Sequence, residues 1–310
     1  MKKITDKFDS FLMNYKNITV AGSGVLGYQI AFQTAFHGFN VTVYDINDEV
    51  LEKAKGKFEI MSSAFKSDLN ASQQQLEDTY QKLRYSSNLE EAVKDADLLI
   101  EAVPENPQLK IGFYEQLAKV APAKTVFATN SSTLLPSQFA SSTARPEKFV
   151  ALHFANEIWK HNTAEIMGHP TTSPEVFNDV VEFAKRIGML PLPLHKEQPG
   201  YILNSLLVPL LGAALDLVVN EVADPTTVDK TWMKATGAPV GPCAILDVVG
   251  ITTAYNINKM AAEKTQDANK IKVVNYLEEN FINKNKLGVA TGAGFYTYPN
   301  PAFQKEDFLK

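Results

Sequence analysis

The 310-residue chain has one cysteine, Cys243, so no disulfide can form within it. That scarcity fits a reducing compartment. Cys243 lies in Gly-Pro-Cys-Ala-Ile-Leu among apolar neighbours, where a buried structural thiol is expected rather than a reactive one. Positive charge is also short. Lys and Arg number 30 against 35 Asp and Glu, a formal net charge of −5. A nucleic-acid binder needs a basic stripe, so no such partner is expected. An anionic small ligand remains open, because backbone dipoles and a few lysines hold phosphate inside an acidic protein. No run of 18 apolar residues occurs, so neither a transmembrane helix nor a membrane partner is expected. The stretch from Met1 to Tyr15 mixes Lys2, Lys3 and Lys7 with Asp6 and Asp9 and has no arginine. Without an apolar signal core it does not resemble a secretory or mitochondrial leader. It reads as a short extension of a cytoplasmic protein. Internal repeats and low-complexity tracts are absent too.

What is present is ordinary globular composition, 45% hydrophobic and 21% charged, at a length that suits two domains. Up to about Lys196 strands and helices alternate. Ile18–Ala21 reads as a short strand, and Val25–His37 has helical spacing closed by Gly38. Val41–Asp45 is a second β-branched strand. A long polar helical stretch from about Asp48 to Lys82 follows. Asp97–Val103, Thr125–Thr129 and Phe149–Phe154 have the composition of buried parallel strands. The alternation predicts an α/β fold with a doubly wound parallel sheet. After Pro199-Gly200 the pattern is mostly helical, with a very apolar segment at Tyr201–Val222 interrupted by Pro209 and Gly212. That segment is expected in a domain core or a dimer interface. The boundary is placed near Glu197–Gly200, giving a dinucleotide-binding domain over 1–198 and an all-helical domain over 199–310.

Gly22-Ser23-Gly24-Val25-Leu26-Gly27 lies between a strand and a helix. In that context Gly22 permits a tight turn, Gly24 lets the backbone approach a pyrophosphate, and Gly27 lets helix and strand pack closely. Free amides at the helix start, from Val25 and Leu26 onward, would hold the phosphates. Asp45 ends the second strand, 23 residues after Gly22. An acid there accepts hydrogen bonds from ribose hydroxyls and repels a 2′-phosphate, so NAD is expected over NADP. The plainer alternative is a glycine turn in an unrelated α/β domain, with Asp45 capping a helix.

Three further segments lie at strand ends, where ligands of parallel sheets bind. Glu101–Asn106 closes one strand, with Glu105 and Lys110 at the start of a helix; a solvated loop is the alternative. Asn130-Ser131-Ser132-Thr133 follows another and could bind a substrate oxygen or cap the next turn. His153 sits near the end of Phe149–Phe154, and Glu165 follows 12 residues later in a short strand, Ala164–Met167. A histidine with a carboxylate partner suits hydroxyl-to-carbonyl oxidation. The ring takes the hydroxyl proton while the acid orients the ring. A metal site from His153, His161, His169 and Glu165 is the rival reading. Its spacing lacks a cysteine and the short ligand pairs of usual zinc sites, so no metal is expected.

In this order the motifs resemble the short-chain L-3-hydroxyacyl-CoA dehydrogenases, nearly collinearly from Ile18 to Tyr298. The marks are the glycine turn, Glu101–Asn106, Asn130-Ser131-Ser132, Arg145–Phe149, His153-Phe154-Ala155-Asn156, Pro199–Asn204, Gly241-Pro242 with Leu246–Gly250, and Thr291–Tyr296. The resemblance implies NAD-dependent oxidation of a short (S)-3-hydroxyacyl-CoA in fatty acid metabolism. It implies His153 as the base, Glu165 as its partner, and Ser132 and Asn204 as contacts to the substrate's 3-oxygen. It places Asn156 near the nicotinamide and the histidine, and Asn130, Asp45, Glu105 and Lys110 in the NAD site. It also implies a homodimer through the C-terminal helices, and CoA along the helical arm that carries Lys55, Lys57 and Lys66.

The chain departs from the family pattern in three places. Glu157-Ile158-Trp159-Lys160-His161 stands where the family has a proline-rich turn. Ser205 stands where it has an arginine. Gly288-Val289-Ala290-Thr291 stands where basic residues are usual. These departures concern the substrate rather than the cofactor. Carnitine and gulonate dehydrogenases share the architecture without CoA, so a CoA-free 3-hydroxy acid is an alternative substrate. A non-catalytic NAD sensor is another reading, since fold does not fix function.

Overall fold

A computed structural model describes residues 15–310. The expectation for Met1–Tyr15 therefore lies, Tyr15 aside, outside the described residues. The chain divides into two compact units, one ending at Ile202 and the other spanning Leu203–Lys310.

The first unit is an eight-stranded sheet in the order β3-β2-β1-β4-β5-β6-β7-β8. Its strands are β1 (Asn17–Ala21), β2 (Asn40–Tyr44), β3 (Leu83–Ser86), β4 (Leu98–Glu101), β5 (Val126–Thr129), β6 (Phe149–Phe154), β7 (Thr163–Met167) and β8 (Leu190–Leu194). The strands β1 to β6 run parallel. The order reverses between β1 and β4, and the crevice at such a switch point is where doubly wound sheets take dinucleotides. The parallel expectation fails at one place: β7 runs antiparallel to β6, with β8 parallel to β7. Only eight residues separate Phe154 from Thr163, too few for the crossover that a parallel return needs.

Helices cover both faces. They are α1 (Val25–Phe36), α2 (Asp48–Leu69), α3 (Gln73–Lys82), α4 (Leu89–Val93), α5 (Pro107–Val120) and α6 (Pro174–Arg186). On one face Phe32, Phe58 and Phe65 pack with Ile18, Val20 and Ile166; on the other Leu99, Tyr114, Phe127 and Phe149 do. The helical stretch expected from Asp48 to Lys82 is two helices. Asn70 breaks it in the left-handed conformation, and Ser72 with Gln75 forms a reciprocal capping box that starts α3.

The second unit is helical: α7 (Tyr201–Val219, begun in the first unit), α8 (Pro225–Thr236), α9 (Pro242–Val249), α10 (Ile251–Thr265) and α11 (Ala268–Asn280). The helix α7 corrects the expectation drawn from apolar runs. With a mean hydropathy of 2.1 over its 19 residues it is long and apolar enough to cross a membrane, despite Pro209 and Gly212. A buried core helix of a soluble domain meets the same criterion. Leu206 is 70% exposed and Val208 and Leu217 lie near the surface, so a core does not account for the whole apolar segment. Cys243 is buried, and burial beside Asp229 pushes its thiol well above the ordinary range. The structural reading of that thiol stands.

Two buried carboxylates tie this unit together. Asp229 accepts from the Cys243 and Ala244 amides and from the Tyr296 hydroxyl. Asp247 accepts from the Phe295 and Tyr296 amides and the Tyr298 hydroxyl. The Gly292–Tyr296 motif is thus a scaffold for Asp247. A Cβ at Gly294 would sit 1.9 Å from Asp247 Oδ1. Gly294→Ala is expected to destabilise the protein by about 2–3 kcal/mol through this clash. By contrast, Gly56→Ala, in α2 with nothing within 4 Å of the added Cβ, should stabilise by about 0.5–1 kcal/mol. Urea midpoints of the two variants check both signs.

Candidate active site

The glycine turn joins β1 to α1 by backbone contact. Gly22 has φ +97°, and a Cβ there would lie 2.6 Å from the Ala102 carbonyl oxygen. A Cβ on Gly27 would lie 1.7 Å from the Gly22 oxygen. Gly24 differs, since a Cβ there would meet nothing within 4 Å. Open space thus lies over the start of α1, where no side chain caps the helix and no acid stands in its first turn. Uncapped amides of this kind suit a phosphate. Val25 is exposed there, and Leu26 packs partly against the core. Asp45 is held onto the turn. Its Oδ2 accepts from Ser23 N and Ser23 Oγ, both at 2.7 Å, and its Oδ1 from Ile46 N at 2.8 Å. Lys57 donates to the Ser23 carbonyl at 3.2 Å.

Across the switch point stands Glu101, at 0% exposure. Its Oε1 accepts from Lys110 Nζ at 2.6 Å and Val103 N at 2.8 Å, and its Oε2 from Thr129 Oγ1 at 2.7 Å and Tyr114 OH at 3.0 Å. Lys110 is buried in this cluster and also faces Glu105 Oε2 at 3.5 Å. Glu105 Oε1 accepts from Ser131 Oγ, Ser132 N, Thr133 N and Thr133 Oγ1. Burial alone would raise the Glu105 carboxyl. The Ser131 hydroxyl, the Thr133 amide and Lys110 outweigh it and hold it below the usual range. Glu105 thereby folds the Ser131–Thr133 loop into place, and Ser131 Oγ in turn accepts from Leu134 N. The capping reading of that loop applies to Ser131.

The loop presents Ser132 to His153. Their Oγ and Nε2 lie 3.2 Å apart. On the other ring nitrogen, Nδ1 lies 3.0 Å from Glu165 Oε2. His153 and Glu165 are direct cross-strand partners in the β6–β7 ladder. The second oxygen, Glu165 Oε1, accepts from Ile202 N at 2.9 Å. A carboxylate on Nδ1 makes that nitrogen the donor and leaves Nε2 with its lone pair toward Ser132. The ring stacks on Tyr201, with centroids 4.5 Å apart and planes 17° off parallel. Tyr201 OH donates to the Ser131 carbonyl at 2.8 Å. Burial, aided by the nearby Glu105 and Glu165 carboxylates, raises that phenol far above its ordinary range, so it stays a donor.

Asn130 Oδ1 accepts from Phe154 N at 3.0 Å and so joins the ends of β5 and β6. Asn156 follows β6 and accepts through Oδ1 from Gln29 Nε2. Asn204 lies on α7 in the second unit. Lys66 is exposed on the last turn of α2, and Lys55 pairs with Glu52 on the same helix. His161 approaches Glu157 at 4.0 Å, and His169 lies 2.9 Å from the Pro146 carbonyl. Among the described residues no three His, Cys, Asp or Glu side chains come together as a metal site would need.

Sequence reading misses Ser23, Tyr201 and Gln29. Ser23 and Tyr201 stand inside quoted motifs without a role, and their partners are 22 and 70 residues away. A signal did exist for Tyr201: it follows Pro199-Gly200, and it takes φ +57° at the start of a helix.

The family model "3-hydroxyacyl-CoA dehydrogenase, NAD binding domain" matches residues 17–198, and its C-terminal domain matches residues 200–298. The chain belongs to the 3-hydroxyacyl-CoA dehydrogenase family. The mitochondrial hydroxyacyl-coenzyme A dehydrogenase of Homo sapiens is 32% identical over 292 residues, covering 91% of each chain. A probable 3-hydroxybutyryl-CoA dehydrogenase of Bacillus subtilis is 29% identical over 286 residues, 92% of this chain and 98% of that one. Among solved structures, a diketoreductase described by its substrate-directed dual catalysis of dicarbonyl compounds is 54% identical. It has a TM-score of 0.87 and covers 92% of this chain and 99% of its own. As a 3-hydroxyacyl-CoA dehydrogenase family member, the chain is an NAD-dependent oxidoreductase, and its cofactor is NAD.

In this family member the Glu101–Lys110 pair is the site's most deeply buried charge. Lys110→Met would leave the Glu101 carboxylate without its cation, at an expected cost of about 3–5 kcal/mol. A urea midpoint should show it, and adding Glu101→Gln should recover part of the loss. A midpoint equal to wild type for Lys110→Met would show that the pair contributes nothing.

Proposed function

We propose that the chain interconverts a short (S)-3-hydroxyacyl-CoA and its 3-ketoacyl-CoA, with NAD+ and NADH as the redox partner. The observation that carries this reading is His153, held by Glu165 on Nδ1 and facing Ser132 from Nε2. Bound NAD+ supplies the acceptor for the hydride that leaves the hydroxyl-bearing carbon. His153 Nε2 takes the hydroxyl proton at the same time. Glu165 keeps the ring in the tautomer that accepts there, and offsets its charge once it is protonated. Ser132 donates to the forming carbonyl oxygen, and Asn204 is assigned to the same oxygen. In the reverse direction His153 returns the proton. On the cofactor side, Val25, Leu26 and Gly27 amides take the pyrophosphate and Asp45 the ribose hydroxyls, with Glu105, Lys110 and Asn130 shaping the wall of that cleft.

The exposed apolar side chains Leu206, Val208 and Leu217 on α7 support a homodimer through the C-terminal unit. A cytoplasmic location is kept on the single reduced cysteine. For CoA, the arm α2 with Lys55 and Lys66 is the assigned contact.

A second reading has its own support. The 54% identical relative is described as acting on dicarbonyl compounds. Lys53 and Lys55 on α2 are also matched by Glu49 and Glu52, which lowers the arm's pull on an anionic carrier. On this reading the substrate is a CoA-free dicarbonyl or 3-hydroxy acid.

A panel separates the two: acetoacetyl-CoA, longer 3-ketoacyl-CoAs and CoA-free 1,3-dicarbonyls with NADH, and carnitine and gulonate with NAD+. NADH consumption with acetoacetyl-CoA is the expected outcome. Turnover confined to the CoA-free compounds would replace the first reading by the second, and NADH binding without turnover on any member would leave a sensor. His153→Ala should lower kcat by about 10² or more on the accepted substrate. Near-normal turnover would remove His153 as the base.

A further inference from the structure

The loop after β6 depends on one residue of α1. Gln29 is 2% exposed. Its Oε1 accepts from Glu157 N at 2.9 Å and from Ile158 N at 3.4 Å. Its Nε2 donates to Val25 O at 2.8 Å and to Asn156 Oδ1 at 2.8 Å. Backbone N–H groups can only donate, so Glu157 and Ile158 fix which end of the Gln29 amide is oxygen. The other end is then the NH2, which can only donate in turn. Asn156 must therefore meet it with Oδ1, and the Asn156 NH2 points away from Gln29. No acceptor among the described residues engages that NH2.

We propose that Gln29 is a positioning residue that sets the Asn156 amide, so that its NH2 is offered to a carbonyl oxygen of the bound ligands. The inference rests on the proposed reaction, which places Asn156 between cofactor and base. It also accounts for a departure from the family pattern. A proline-rich turn after the histidine motif presents fewer backbone N–H groups. Here Glu157, at φ +58°, and Ile158 both bring an N–H that needs an acceptor, and Gln29 supplies it from the dinucleotide helix. The altered turn and Gln29 form one unit, with Asn156 as its output. Two carbonyls fit the offered donor, the nicotinamide carboxamide and the substrate's keto group.

The test is Gln29→Glu at a pH where the new carboxylate is ionised. Both loop amides keep their acceptor, but Asn156 must turn its NH2 toward the carboxylate and its oxygen toward the ligand. A lost hydrogen bond of this kind is worth about tenfold in binding. If the nicotinamide is the acceptor, the NADH Kd from fluorescence titration rises about tenfold. If the substrate is, its KM rises about tenfold while the NADH Kd holds. Asn156→Asp, which keeps the bond from Gln29 but loses the donor, should match whichever result appears. In an Asn156→Ala background, Gln29→Glu should change the same constant less than about twofold. Wild-type values of both constants for Asn156→Asp would overturn the proposal, and so would a full tenfold loss repeated in the Asn156→Ala background. Failure of every substrate in the panel would strike the proposed reaction instead, and the NADH titration alone would then decide the role of Gln29.

Discussion

The antiparallel register of β6 against β7 is the constraint on which the site depends. It sets His153 directly opposite Glu165 on one face of the sheet. Side chains alternate faces along a strand, so a slip of one residue would send the carboxylate to the other side. The core forbids that slip. Leu152, Phe154, Ala164 and Ile166 belong to the large hydrophobic cluster on the opposite face, while Ala151 and Met167 pack with Tyr201 on the histidine's face. The cost of misplacing Ile166 alone is that of a buried aliphatic side chain, about 1.5–3 kcal/mol. The His153–Glu165 pair, proposed as acid and base, is thus held by packing that has no part in that chemistry.

From that pair the order spreads through hydrogen bonds. Glu165 accepts from the Ile202 amide in the first turn of α7, Tyr201 lies flat on the imidazole, and its hydroxyl fixes the Ser131 carbonyl. Glu105 gathers the same loop from the other side, and Lys110 joins Glu105 to Glu101 at the switch point. A partly satisfied polar network in a core costs more than an apolar one. Glu101 meets that demand with four donors for its two oxygens. The Glu101–Lys110 cluster and His153 therefore share one network, and a change at either end is felt at the other.

What the sequence made legible follows from the range of the interactions. The strand, turn, helix and acid proposed for the cofactor site lie within 29 residues, Asn17 to Asp45, and local pattern reads them. His153 and Glu165 were readable as residue types near a strand end. Their direction was not: β7 has the composition of any buried strand, and only the short connection from Phe154 to Thr163 pointed to an antiparallel return. The break between α2 and α3 had a visible signal in Asn70 and the Ser72–Gln75 pair, which the helical polarity of the stretch overrode. Apolar run length hid α7, because Asn204, Ser205 and Asp216 interrupt the count while the helix continues through them. Gln29 was out of reach, since its partners Asn156 and Glu157 lie 127 and 128 residues on.

The two halves of the reaction are built from different material, and this bears on where a family member can change. The glycine turn is backbone against backbone: Gly22 under the Ala102 carbonyl and Gly27 against the Gly22 carbonyl, where no side chain can enter. Such a surface cannot drift by substitution. The loop after the histidine is held by side chains instead. Trp159 donates through its indole to Asp68 at 2.9 Å and lies tilted against Phe65, with ring centroids 5.9 Å apart, and Lys160 pairs with the same Asp68 at 3.0 Å. Those contacts latch the loop to the end of α2, the arm assigned to the CoA carrier. They can be exchanged for others as a set, leaving His153 and Glu165 untouched. A change of substrate is therefore expected to collect at Glu157–His161 and Asp68 rather than at the glycine turn, and Glu157–His161 is one of the three places where this chain leaves the family pattern.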